Sequence, residues 1–121
     1  MQYMLLIYGD ESAWSTRSEE ENGKIFQDYG AYTEELRASG AFVEGAPLQP
    51  TGTATTVTLV DGDRVVTDGP FAETKEQLGG YYIVDVASLD EALEWAAKIP
   101  SARLGTIEVR PVMSIPAEAQ A

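Results

Sequence analysis

Two strand–helix–strand halves on either side of a hairpin predict an α+β fold, a ferredoxin-like βαβ-hairpin-βαβ sandwich. Three observations carry that reading. Two strands are apolar on both faces, two Ser-x-x-Glu capping boxes each open an amphipathic stretch, and an Asp-Gly turn sits between short β-branched runs at mid-chain. The 121 residues suit one domain, and 44% hydrophobic with 23% charged residues matches an ordinary globular chain.

In the first strand Tyr3, Leu5 and Ile7 face one side and Met4, Leu6 and Tyr8 the other, the mark of a strand covered twice. Ser18-Glu19-Glu20-Glu21 then supplies an N-cap and first-turn acids that suit the positive helix end. Ile25, Tyr29, Tyr32 and Leu36 recur on one helical face, read as core packing, and Ser39-Gly40 closes the helix. Ala41-Phe42-Val43-Glu44 reads as a second strand, broken by Pro47 and Pro50. From Ala54 to Thr67, Val57-Thr58-Leu59-Val60 and Arg64-Val65-Val66 flank Asp61-Gly62, a pair suited to a type I′ turn. Gly80 to Val86 is a strong strand, and Gly79-Gly80 marks a bulge or a close backbone approach at its start. Ser88-Leu89-Asp90-Glu91 opens a second helix with Leu89, Leu93, Ala96 and Ala97 inward, ended by Pro100. Ile107 to Val112 is the last strand. The domain thus spans residues 1–113, and 114–121 form a C-terminal tail, loose from Pro116.

Composition removes whole classes of function. Eight Lys and Arg against twenty Asp and Glu give a net charge of −12, so direct nucleic-acid binding and attraction to anionic lipid have no electrostatic drive. Without Cys there is no disulfide, thiolate nucleophile or thiolate metal site. Without His there is no imidazole base, and proton transfer falls to Asp, Glu, Tyr, Lys or water. Asp61-Gly62-Asp63 lacks the further oxygen ligands of a calcium loop, so neither metal nor cofactor is expected. The apolar opening run lacks basic residues ahead of it and stops at Gly9-Asp10-Glu11. It reads as a strand rather than a signal peptide, with a cytoplasmic location as the expectation.

Two helices cover one face of such a sheet. The other face leaves Met4 or Leu5, Tyr81 or Tyr82, and Val84 or Ile83 in water. A homodimer with its sheets packed face to face is the economical solution.

Asp68-Gly69-Pro70-Phe71-Ala72-Glu73-Thr74-Lys75-Glu76-Gln77-Leu78-Gly79-Gly80-Tyr81-Tyr82 resembles the signature of the DGPF proteins within the YCII-related (YciI-like) family. Tyr3 to Glu11, Leu89-Asp90-Glu91-Ala92 and Glu108-Val109-Arg110-Pro111-Val112 are similar to the same family, so the resemblance runs from about Met1 to Val112. It implies a dimeric α/β barrel with a pocket between sheet and helices. It also implies a gene neighbourhood shared with sigma factors of the extracytoplasmic-function type, and superfamily relatives among small monooxygenases, isomerases and lactone-processing enzymes. Many relatives are proposed to use a His–Asp pair. Here the position just before the Gly that precedes the last strand is Leu104, so that mechanism does not carry over.

Four residues stand out as site candidates. Asp68 reads either as turn chemistry, with Gly69 and Pro70, or as the acid or base of a reaction. Arg110, flanked by Val109 and Pro111, reads as partly buried; it either pairs with Glu108, Asp68 or Glu73 or recognises an anionic ligand through its planar fork. Glu73 reads as a solvated loop charge or as a second carboxylate of the site, and Tyr8 as a core tyrosine or as a hydroxyl offered to the pocket. Asp10 and Glu11 read equally well as a solvated strand end, and Phe71 as a core plug for its loop. Two functions compete. One is a cofactor-independent enzyme on a small polar or anionic substrate, with Asp68 as catalytic acid or base, Arg110 orienting and Glu73 in support. The other is a non-catalytic binding or regulatory module working with a sigma factor.

Overall fold

Alternating apolar residues build β1 (Gln2–Gly9), whose odd-numbered side chains Tyr3 and Leu5 are buried and whose even-numbered Met4, Leu6 and Tyr8 are half-buried. A computed structural model of the chain describes residues 1–116; the rest of the expected tail, 117–121, lies outside the described residues. After a short α1 (Ala13–Thr16), α2 (Glu19–Ala38) starts where Ser18 accepts a hydrogen bond from the Glu21 amide and ends before Gly40 at φ 82°. It buries Ile25, Tyr32 and Leu36. Next come β2 (Phe42–Pro47) and the hairpin of β3 (Thr55–Val60) and β4 (Asp63–Asp68). Asp61 and Gly62 both take positive φ, 51° and 84°, as a type I′ turn requires. Finally β5 (Gln77–Asp85), α3 (Leu89–Lys98, capped by Ser88) and β6 (Thr106–Pro111) complete the order.

Four strands form one antiparallel sheet in the order β2-β5-β1-β6, and β3-β4 pair apart from it. That is the ferredoxin-like arrangement with an inserted hairpin, as the element order implied. Tyr3, Leu5 and Val84 meet Tyr32, Leu36, Ala92, Ala96 and Ile99 in one core, so both long helices lie on one face. Tyr82 fits there because Gly45 opposite has no side chain: a Cβ would come 2.7 Å from its ring.

Two sequence expectations are corrected. In α3 the inward face is Ala92 and Ala96, with Trp95 half-buried, while Leu89 and Leu93 stay about half exposed and Ala97 is exposed. Alanines let the helix settle close to the sheet, and the leucines flank that contact. Pro47 ends β2 as the sequence predicts, paired with Gly80 at the sheet edge, where a missing N–H costs nothing. Phe71 does not plug the core: it is 91% exposed.

The Tyr32 hydroxyl donates to the Trp95 carbonyl at 2.9 Å. Burial, reinforced by Tyr82, Tyr29 and Glu35, pushes its pKa well above the ordinary tyrosine value. The native state therefore holds this proton more tightly than the unfolded chain does. Its contribution to stability is complete below pH of about 10 and is lost as pH rises past that value. Tyr32→Phe should cost about 1 kcal/mol at neutral pH and flatten the alkaline loss of stability. Urea denaturation at neutral pH and above pH of about 10 checks both, and an unchanged alkaline slope would remove Tyr32 as its source.

Candidate functional site

The side of the sheet away from the helices carries Met4, Leu6 and Tyr8 of β1, Tyr81 and Ile83 of β5, Glu44 and Ala46 of β2, and Thr106, Glu108 and Arg110 of β6, as the strand registers dictate. Its apolar residues are half-buried, with both long helices on the other face of the sheet. At the β6 margin the Tyr8 hydroxyl donates to Glu108 Oε1 at 3.3 Å. Partial burial, then the Glu108 charge and hydrogen bond, raise the Tyr8 pKa, and Arg110 pulls the other way. Tyr8 is thereby kept a proton donor. Thr106 donates to Glu76 Oε1 at 2.8 Å on the same margin.

Arg110 is exposed, contrary to the burial expected from its Val and Pro neighbours, because an alternating edge strand turns it to the uncovered face. Among the described residues it forms no ion pair; Glu108 spends its hydrogen bond on Tyr8 instead. Its guanidinium thus presents free donors in a planar fork. The structure joins Tyr8 to Glu108 and puts Arg110 on the same face two residues further along β6. It does not join Asp68 or Glu73 to them within one chain. Asp68 ends β4 opposite Thr55, Glu73 lies in the following loop, and both are exposed with no side-chain hydrogen bond or ion pair among the described residues.

The signature loop is held by residues around these two. Gly69, at φ 97°, donates its amide to the Ala54 carbonyl at 2.7 Å, and Thr56 donates to the Gly69 carbonyl at 2.8 Å. Gln77 donates to the Thr74 carbonyl. Gly79 is the extra residue of a bulge opposite Ile7 and Tyr8, while Gly80 makes the close approach: a Cβ there would meet the Ala46 carbonyl oxygen. A Cβ on Gly105 would collide with the Tyr8 carbonyl, so this glycine sets how closely the last strand enters beside Tyr8.

Glu11 escaped the sequence reading. Its Oε1 accepts from the Thr51 amide at 2.6 Å and its Oε2 from the Thr51 hydroxyl at 2.8 Å, while its own amide donates to Gln77 Oε1 at 3.0 Å. It ties the end of β1 to the root of the hairpin and to the start of β5. Its place in Gly9-Asp10-Glu11 was the signal, yet nothing local marks Thr51 as its partner. Asp10 serves the backbone, accepting from the Ser12 hydroxyl and amide, and these bonds lower its pKa.

On the helix side, a shallow groove of about 550 Å³ runs between α3 and β6, past Leu93, Ala97, Arg103 and Val109. Its one cation, Arg103, bonds Asp28 at 3.3 Å, so the groove offers little to anchor a polar ligand. No helix of the described residues is long and apolar enough to cross a membrane, and no cluster of possible metal ligands occurs among them.

Fold and site define a small ferredoxin-like α+β protein with a polar margin on an uncovered sheet face. The chain belongs to the family of the YCII-related domain, whose family model matches residues 1–116. An uncharacterised protein of Rhizobium meliloti (strain 1021) is 44% identical over 114 residues, 93% of this chain and 92% of the relative. Among solved structures, 5-chloro-2-hydroxyhydroquinone dehydrochlorinase (TftG) from Burkholderia phenoliruptrix AC1100, in complex with 2,5-dihydroxybenzoquinone, aligns with a TM-score of 0.55. At 18% identity over 93% of this chain and 94% of that one, the likeness extends to the fold.

Glu11→Ala removes both acceptors of Thr51. It should cost about 1.5–3 kcal/mol, the range for hydrogen bonds to a charged group, and speed amide exchange at Thr51 while the core residues of α2 and β5 keep their protection. Unchanged exchange at Thr51 would show that the clamp is not what holds this loop.

Proposed function

We propose that the protein acts as a homodimer, its sheets face to face, and binds a small polar or anionic molecule, without a cofactor, on the margin formed by Tyr8, Glu108 and Arg110. The observation that carries this reading is the unpaired Arg110 guanidinium on the same face of β6 as Glu108, which accepts the Tyr8 hydroxyl's hydrogen bond. A planar fork with free donors matches a carboxylate or enolate oxygen in two-point contact. The Tyr8–Glu108 bond is long, and a ligand oxygen can take the place of Glu108 as acceptor.

Read as an enzyme, the site needs a base. Asp68 is the carboxylate assigned that role, with Glu73 in support: Asp68 takes a proton from the substrate while Arg110 and Tyr8 hold the oxygen on which negative charge develops. The fold neighbour's bound 2,5-dihydroxybenzoquinone supplies a ring compound with acidic oxygens as a first probe.

The test is a thermal-shift series with 2,5-dihydroxybenzoquinone and a panel of small carboxylic and aromatic acids. A ligand at a hundred times its dissociation constant should add about 2.7 kcal/mol, roughly a 10 °C rise for a domain of this size. Arg110→Ala should abolish the rise and Tyr8→Phe reduce it. Asp68→Asn should keep binding and lose turnover. A shift that survives Arg110→Ala would move the site elsewhere, and no shift across the panel would end the small-molecule reading.

The absence of His, in a sequence whose relatives are proposed to use one, favours a second reading as a non-catalytic module working with a sigma factor. Pull-down with tagged protein from the native cell should then recover a sigma factor that Phe71→Ser releases, since Phe71 is the most exposed apolar side chain described. A clean absence of sigma factors under gentle conditions would remove this reading.

A further inference from the structure

The β3–β4 hairpin is exposed at almost every position, yet its two faces differ in chemistry. The registers Val57↔Val66, Leu59↔Arg64 and Thr55↔Asp68 put an apolar centre on one face, with Arg64 toward the tip and Asp68 at the root. Val57, Leu59 and Val66 there are 58%, 70% and 53% exposed. The opposite face carries Thr56, Thr58 and Thr67 with Val60 and Val65, 52% and 44% exposed, and its Thr56 is bonded to the chain's own Gly69 carbonyl. A two-stranded hairpin is marginal by itself in water, so an apolar face of this kind needs cover.

The surface area points to what supplies it. The chain exposes 8588 Å², where a compact monomer of its mass exposes about 6,400 Å². Residues 117–121 can account for at most about 700 Å² of the excess. The remainder exceeds the roughly 800 Å² that each partner buries in a standard interface. Charge adds direction. Arg110 lies on the edge strand of the uncovered sheet face, Asp68 at the root of the uncovered hairpin face, and neither has an ion-pair partner among the described residues.

Building on the dimer reading above, we propose that the hairpin is an arm that clasps a second copy of this chain. It lays its Val57, Leu59 and Val66 face along the β6 margin of the other copy's open sheet. Asp68 of one copy then stands beside Arg110 of the other, and each site is composite: base and anion anchor come from different chains. This gives Asp68 the desolvated setting that its own chain lacks, while Arg110 keeps its planar fork for the anion.

The natural absence of cysteine allows a background-free test. Asp68→Cys and Arg110→Cys copies with different tags are mixed and treated with a short bis-maleimide, with sedimentation velocity on the unmodified protein in parallel. The expected result is a dimer whose 68–110 cross-link joins the two tags, at least ten-fold more than in an Asp63→Cys control on the other hairpin face. A dimer without that cross-link would overturn the arm and leave the dimer standing. A monomer at all concentrations would overturn both. Because a cysteine at position 68 alters the turn, Val57→Thr, Leu59→Thr and Val66→Thr are combined as a second probe. These strand-compatible changes should weaken dimerisation at least ten-fold with an unchanged circular dichroism spectrum, and unchanged dimerisation would overturn the arm.

Discussion

Both long helices lie on the same side of the four-stranded sheet, and that asymmetry governs the rest of the molecule. Connections through a βαβ half place each helix on the side to which right-handed crossovers lead, so neither can cover the second face. Met4, Leu6, Tyr81 and Ile83 remain there, apolar and without a layer above them. The polar groups of β6 lie on the same uncovered side because strand periodicity allows nothing else: Ile107 and Val109 go to the core, so Glu108 and Arg110 go out. One constraint thus yields both a surface that calls for a partner and the residues with chemistry to offer.

The signature loop serves this geometry by bringing the chain back to the end of β1. Its glycines act where backbones nearly touch. Gly69 supplies a left-handed turn at the hairpin root, Gly79 the bulge beside Tyr8, and Gly80 the contact with β2. Glu11 then fastens the hairpin root from outside with both carboxylate oxygens. The loop's detail is therefore largely structural around a few residues left free, Asp68 and Glu73 among them. A loop held this firmly at its root can present an exposed side chain in a fixed direction, as a recognition or catalytic role requires.

Local rules made most of the fold legible. Ser18 and Ser88 cap their helices as their capping boxes indicate, and Asp61-Gly62 turns the hairpin. The periodicity that marks Ile25, Tyr32 and Leu36 marks their burial too. Where the reading failed, a tertiary choice had decided. In α3 the alanine and leucine stripes overlap, and only the close fit against the sheet selects Ala92 and Ala96. Phe71 has the composition of a plug, but one chain offers it no cavity. Alternation puts Arg110 on the outer face of its strand; its exposure depends on β6 being an edge, which strand order alone reveals. The Glu11 clamp joins residues 40 apart and has no local signature.

The missing imidazole then bears on how site and assembly relate. With no His in the chain, proton transfer falls to Asp, Glu, Tyr, Lys or water, and a carboxylate serves as a base near neutral pH only where burial raises its affinity for protons. A single chain provides no such burial for Asp68, which sits exposed at the hairpin root. Histidine carries its useful acidity with it, whereas a carboxylate must acquire it from its surroundings. For a chain this short, with its helices already committed to one core, the apolar surface left to provide those surroundings is the open sheet face and the hairpin. In the proposed dimer, association that covers these surfaces serves stability and chemistry together.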